Sequence, residues 1–142
     1  MQIVIGADSA GFELKEHLKK HLSDKGHKVI DKTPENDLDF FESTTRVAKA
    51  ILANEADRGI AIDEYGAGSF MTACKYKGII CAEVSDEHSA KMTRDHNNAS
   101  MITMGAGIVG KRLAESIVDA FIKGEYSGGR HQIRVDMLNK MA

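Results

Sequence analysis

No run of apolar residues in this chain approaches the ~20 needed to cross a bilayer. The opening MQIVIGADSAG lacks both the basic leader and the long apolar core of a secretory signal. A membrane role is therefore not expected, and the sequence reads as cytoplasmic. Charge of one sign is missing too. Nineteen Lys and Arg stand against 21 Asp and Glu, a net charge of −2, which gives no electrostatic footprint for a nucleic acid. Cysteine is scarce. Cys74 and Cys81 fall on a predicted helix and a predicted strand without metal-ligand spacing, so they read as reduced core residues. His17 and His21 are four apart, but nothing nearby suggests a third ligand. They read as a solvated helix face, and no metal is expected. The dinucleotide fingerprint is absent as well, because Gly6 and Gly11 are five apart, and no nicotinamide cofactor is expected.

What is present fits one domain of 142 residues, long enough to bury a core. Gln2-Ile3-Val4-Ile5 is a β-branched run stopped by Gly6, the pattern of a buried strand. After the turn at Asp8-Ser9-Ala10-Gly11, Leu14, Leu18 and Leu22 recur at helical spacing until Gly26. His27 to Asp31 forms a second strand. Lys32 to Phe41 is a polar loop holding the single proline, Pro34. Ser43 or Thr44 is then the expected cap of a helix carrying Val47, Ala48, Ile51 and Leu52. Gly59-Ile60-Ala61-Ile62 reads as a third strand, Ile79 to Val84 as a fourth and Met101 to Met104 as a fifth. A helix opening at Ser85-Asp86 precedes the fifth strand, and one through Leu113, Ile117, Val118, Phe121 and Ile122 follows it. Five strands alternating with five helices predict an α/β fold, a Rossmann-like three-layer α/β/α sandwich on a five-stranded parallel sheet.

In such sheets ligands bind beyond the carboxyl ends of the strands. That rule gathers Asp8, Ser9 and the Asp63-Glu64-Tyr65-Gly66-Ala67-Gly68 loop on one rim with the region after Val84. Strand, glycine turn and helix in sequence aim backbone N–H groups at one point, which suits an anion; a tight turn needing only glycine geometry explains the same residues. Two further stretches carry chemistry. Arg94-Asp95-His96-Asn97-Asn98 places an imidazole and an amide where a helix gives way to a strand, a position that serves acid–base work or a plain polar helix end. Gly128-Gly129-Arg130-His131-Gln132-Ile133-Arg134 sets two arginines four apart, on one face if a helix starts there. Paired guanidiniums suit a phosphate; surface ion pairs are the simpler use.

Taken together and in this order, Gly6 to Lys15, Gly66-Ala67-Gly68, Arg94 to Ala99 and Gly128 to Arg134 resemble the B-type ribose-5-phosphate isomerases and the related lactose-pathway sugar-phosphate isomerases, over nearly the whole chain. The resemblance implies isomerisation of a phosphorylated aldose to a ketose through an enediolate, without metal or organic cofactor. Its lactose-pathway details imply D-galactose 6-phosphate and D-tagatose 6-phosphate as the sugar pair. By the same resemblance His96 opens the sugar ring, Arg130 and Arg134 grip the phosphate, and Asn97 binds substrate. Each site is built from two subunits, and the tail 124–142 reaches a partner.

The departures from the family pattern concentrate in one half of the site. Asp63 stands where a thiol base is expected and Tyr65 where a threonine is. Ser9 replaces a histidine, Gly107 replaces an arginine, and Ser69 stands where some members carry a glutamate base. Asp8, Ser9, Asp63, Tyr65, Gly66 and Gly68 thus read as a degenerate half-site. The expectation is a subunit of a hetero-oligomer, completed by a homologous Cys-bearing B subunit. The alternatives are a self-sufficient isomerase with Asp63 as base, and a non-catalytic sugar-phosphate-binding subunit.

Overall fold

The structure, a computed structural model, describes residues 1–141. Its elements are β1 (Gln2–Ala7), α1 (Phe12–Asp24), β2 (Lys28–Asp31), α2 (Phe40–Leu52), β3 (Arg58–Asp63), α3 (Ala67–Ala73), β4 (Cys81–Glu83), α4 (Glu87–Asn97), β5 (Met101–Gly105) and α5 (Lys111–Lys123). A 3-10 turn (Gly129–His131) and α6 (Gln132–Lys140) follow. The sheet is wholly parallel in the order β2-β1-β3-β5-β4, the Rossmann-like sandwich that the alternation predicts.

The period of two along each strand divides the core. Ile3, Ile5, Ile60, Ile62, Ile102 and Met104 face one side, where they pack on Leu14, Leu18 and Leu22 of α1 and on Ile117, Val118 and Phe121 of α5. Val4, Ala61 and Met101 face the other side and meet Val47, Ala48 and Ala50 of α2 and Ala73 of α3. All of these side chains are at most 6% exposed. Burying each large one contributes about 1.5–3 kcal/mol.

Four local expectations are corrected. α2 begins earlier than expected, because the Asp39 side chain accepts the Glu42 N–H at 2.8 Å; Ser43 and Thr44 lie inside the helix on its buried face. β4 is only three residues long. The tail adds a sixth helix. His17 and His21 do not form a solvated face: they bond Glu115 at 3.1 and 3.2 Å, and His21 also bonds Asp119 at 2.9 Å, tying α1 to α5. The cysteines are free as expected; both line an apolar groove beside β4, and Cys81 packs against the core layer under α2 and α3.

Candidate active site

At the carboxyl edge of the sheet, β1 and β3 deliver Asp8 and Asp63 side by side. Asp63 is 6% exposed. Its Oδ2 accepts the Ser69 N–H at 3.3 Å, and its Oδ1 is buried with no partner. The amide expected to receive a substrate anion is thus engaged by the chain's own carboxylate. Asp8 takes the Gly11 N–H at 2.9 Å. Its pKa is raised, by burial first and then by the nearby charges of Asp63 and Glu64, against the lowering effect of its backbone hydrogen bonds.

Three carboxylates therefore border the place where an enediolate or phosphate would need positive potential. The grouping of Asp8 and Asp63 on one rim is found, and there the Ser69 amide is taken by Asp63. A Cβ added at Gly107 would lie 2.5 Å from Glu64 Oε1, so the position read as a lost arginine is covered by an acid. Gly66, at φ +79°, makes the turn into α3, and Gly68 lies under the Phe40 ring. Ser9 Oγ reaches the Asn36 and Leu38 carbonyls at 3.5 Å. Tyr65 projects outward, 65% exposed.

The second group assembles at the other pole. Helices run antiparallel to the strands they cross between, so α4 ends near the amino end of β5. There Gly59 N donates to Ser100 O at 2.8 Å, while Asp63 pairs with Gly105 at the far end. Four residue steps of β5 separate these levels, about 13 Å of strand. His96 and Asn97 close α4, with Asn98 in the left-handed region (φ 54°) terminating it.

The tail is then fastened onto this end through Asp95. Its Oδ1 accepts the Glu125 N–H at 3.0 Å, and its carbonyl accepts from Ser127 N at 2.9 Å and Ser127 Oγ at 3.0 Å. Lys91 pairs with the same carboxylate and holds its pKa below the usual range against a small burial penalty. Gly128 and Gly129, at φ 61° and 57°, turn the chain into the 3-10 segment. The outcome is a contact that no spacing argument anticipates: His131 stacks on His96, with ring centroids 4.3 Å apart and planes 14° apart. Arg130 and Arg134 follow on the same tail, both exposed and, among the described residues, in no ion pair.

His96, Asn97, Arg130 and Arg134 thus fall at one end of the molecule and Asp8, Ser9, Asp63, Tyr65, Gly66 and Gly68 at the other. Two residues escaped the sequence reading. His131 lay inside the quoted tail motif without a role, and Glu64 passed as part of a turn. Among the described residues no group of three or more His, Cys, Asp or Glu side chains is placed to hold a metal ion, and no helix is long and apolar enough to cross a membrane.

Residues 3–138 match the family described as Ribose/Galactose Isomerase. Over 141 residues, 99% of both chains, the sequence is 67% identical to galactose-6-phosphate isomerase subunit LacA of Clostridium acetobutylicum. It is 59% identical, with the same coverage, to the subunit of that name from Streptococcus mutans. Among solved structures it is similar to ribose-5-phosphate isomerase B of Clostridium thermocellum, at TM-score 0.95 and 37% identity over 99% of this chain and 96% of that one. The Mycoplasma genitalium ribose-5-phosphate isomerase B with bound ribulose-5-phosphate aligns at TM-score 0.91 and 34% identity, covering 98% and 94%. By sequence and by fold alike, the chain belongs to the Ribose/Galactose Isomerase family.

Proposed function

We propose that this chain is one subunit of a heteromeric, cytoplasmic aldose–ketose isomerase that interconverts D-galactose 6-phosphate and D-tagatose 6-phosphate, and that a homologous subunit bearing a thiol base completes its site. The observation that carries the reading is the separation of the two residue groups. A sugar phosphate held by the tail arginines lies a strand's length from Asp63 of the same chain, so the proton-abstracting group comes from a neighbour. The names of the relatives, subunits of a galactose-6-phosphate isomerase, agree with this reading. The chain's own thiols are poor substitutes. Burial raises the pKa of Cys74 and pushes that of Cys81 well up, which disfavours thiolate in both. Phe41, Tyr65 and Met71, each at least 59% exposed around the carboxyl-edge half, offer an apolar border for a partner to cover.

In this mechanism Arg130 and Arg134 bind the phosphate through charge-assisted hydrogen bonds, and Asn97 bonds a sugar hydroxyl. His96 takes the proton of the anomeric hydroxyl and returns one to the ring oxygen as the C1–O bond of the ring breaks, giving the open aldehyde. The partner's thiolate removes the C2 proton and delivers it to C1 through the enediolate while the O2 proton passes to O1, and the phosphate clamp keeps the open chain in place. No cofactor enters this scheme.

The test is reconstitution. The pure chain converts galactose 6-phosphate at background rate, and the complex with its Cys-bearing homologue converts it fully. His96→Ala in that complex lowers kcat by roughly 10²-fold or more. Substantial turnover by the pure chain would falsify the shared site, and an unaffected His96→Ala complex would mean a non-catalytic subunit. A second reading, with Asp63 as base, draws on its unpartnered Oδ1; the Asp63→Asn variant below separates the two.

A further inference from the structure

We propose that His131 is a positioning residue for His96: the stacked imidazole fixes the plane of the His96 ring. This rests on the reading that His96 opens the sugar ring. The rings are near-parallel, 14° apart, with centroids at 4.3 Å, so a second proton on the stack would set like charges face to face. Neither ring owes its place to chance contact. His96 is fixed by the last turn of α4, and His131 by the tail bonds that converge on Asp95.

The charged groups around the stack come from four elements. On α4, Lys91 and Asp95 are paired with each other, and Arg94 turns away to donate to the Ala99 carbonyl and the Asn98 side chain. The linker brings Glu125, whose N–H is spent on Asp95. The 3-10 turn brings Arg130, adjacent to His131, and α6 brings Arg134. Asp95 is the one carboxylate bonded into this cluster, and it is already shared with Lys91. The His131 pKa is lowered by burial, then by His96 and Arg130. His131 thus stands as a flat plate behind the ring assigned to proton transfer. Without that plate the His96 side chain is free to rotate about χ1 and χ2 at a half-exposed helix end.

The experiment compares His131→Ala and His131→Phe in the reconstituted isomerase with a titration read by NMR. His131→Ala removes the plate, so kcat falls about tenfold or more from lost orientation while KM for the sugar phosphate stays within twofold. His131→Phe keeps a flat ring and restores kcat to within about threefold. Independently of activity, the His131 Cε1–H resonance of the full chain titrates below its ordinary range, and His96→Asn moves that midpoint upward. An unchanged kcat in His131→Ala overturns the proposal, as does a His131→Phe complex no better than His131→Ala, or a His131 titration indifferent to His96→Asn. The NMR arm and His131→Phe decide the question even where His131→Ala does not fold. Because the titration needs no turnover, its failure is distinguishable from failure of the isomerase reading.

Discussion

Asp63→Asn tests the energetics and the function of the carboxyl-edge half in one variant. Asp63 is 6% exposed and receives a single long hydrogen bond, 3.3 Å from Ser69 N–H, while Oδ1 has no partner. In the unfolded chain both oxygens are hydrated, and leaving one buried acceptor unmade costs about 1–3 kcal/mol. Asparagine keeps the volume and the acceptor for Ser69 and removes a charge from beside Asp8. Its new amide N–H groups must themselves be satisfied, so the expected gain sits at the low end, about 1 kcal/mol. For a chain of this length that raises Tm by about 3 °C.

The gain has a pH signature. The Asp8 pKa is raised in the folded protein, by burial and then by Asp63. A carboxyl with a raised folded pKa supports folding most below its unfolded value of about 4, and that support fades as pH climbs through the folded value. Removing one cause of the raised pKa therefore helps little at pH 4 and most at pH 7. Thermal unfolding by circular dichroism at both pH values, with isomerase turnover of the reconstituted complex, reads all of this. Activity within twofold of wild type accompanies the gain if the base lies on the partner. A lower Tm at pH 7 refutes the energetic argument, and abolished turnover refutes the assignment of the base to the partner.

Three further perturbations have defined outcomes. Asp95→Ala removes the bond to Glu125 N and the Lys91 pair, so amide exchange accelerates through 125–135 and KM for the sugar phosphate rises about tenfold, a loss of about 1.4 kcal/mol in binding; unchanged exchange refutes the clamp. Because the Asp95 pKa is lowered, chiefly by Lys91, the clamp holds above the unfolded carboxylate value and is lost as pH falls through the folded one. Lys15→Met removes a wholly buried ammonium that donates to Asp31 and to the Thr33 carbonyl. Urea unfolding should show a loss of about 3 kcal/mol, and a loss below about 1 kcal/mol would mean that methionine packing compensates fully. Gly11→Ala sets a Cβ 2.5 Å from the Ile62 carbonyl oxygen, a rigid backbone atom. The β1–α1 turn must shift, at a cost of about 2 kcal/mol seen as a lower urea midpoint; a wild-type midpoint would show that the turn has slack.

The half-site residues were legible to different depths. Asp8 and Asp63 could be placed on one rim because any parallel sheet brings its strand ends together. The four-residue spacing of the two tail arginines was legible, but α6 begins at Gln132, so Arg130 lies in the 3-10 turn ahead of the helix that carries Arg134. The cap of α2 misled because Ser43 and Thr44 are good capping types. Their hydroxyls are instead needed on a buried face, and the extended Asp39 was hidden in a polar loop. The loop after β3 was legible only in part. Its glycines suit an anion, but the occupant of the Ser69 N–H is the carboxylate six residues earlier, which a motif describes as a substitution and not as a plug.

The sequence by itself determined the alternation of strands and helices, the inward faces of both, and the identity of the chemistry-bearing side chains. Those properties depend on periodicity and residue type within a few positions. The strand order, with β5 inserted between β3 and β4, was decided only by the tertiary structure. So were the stack of His96 on His131 and the fastening of the tail to Asp95. Each depends on contacts between residues far apart in the chain, whose free energy exists only once the core has fixed the relative positions of the elements.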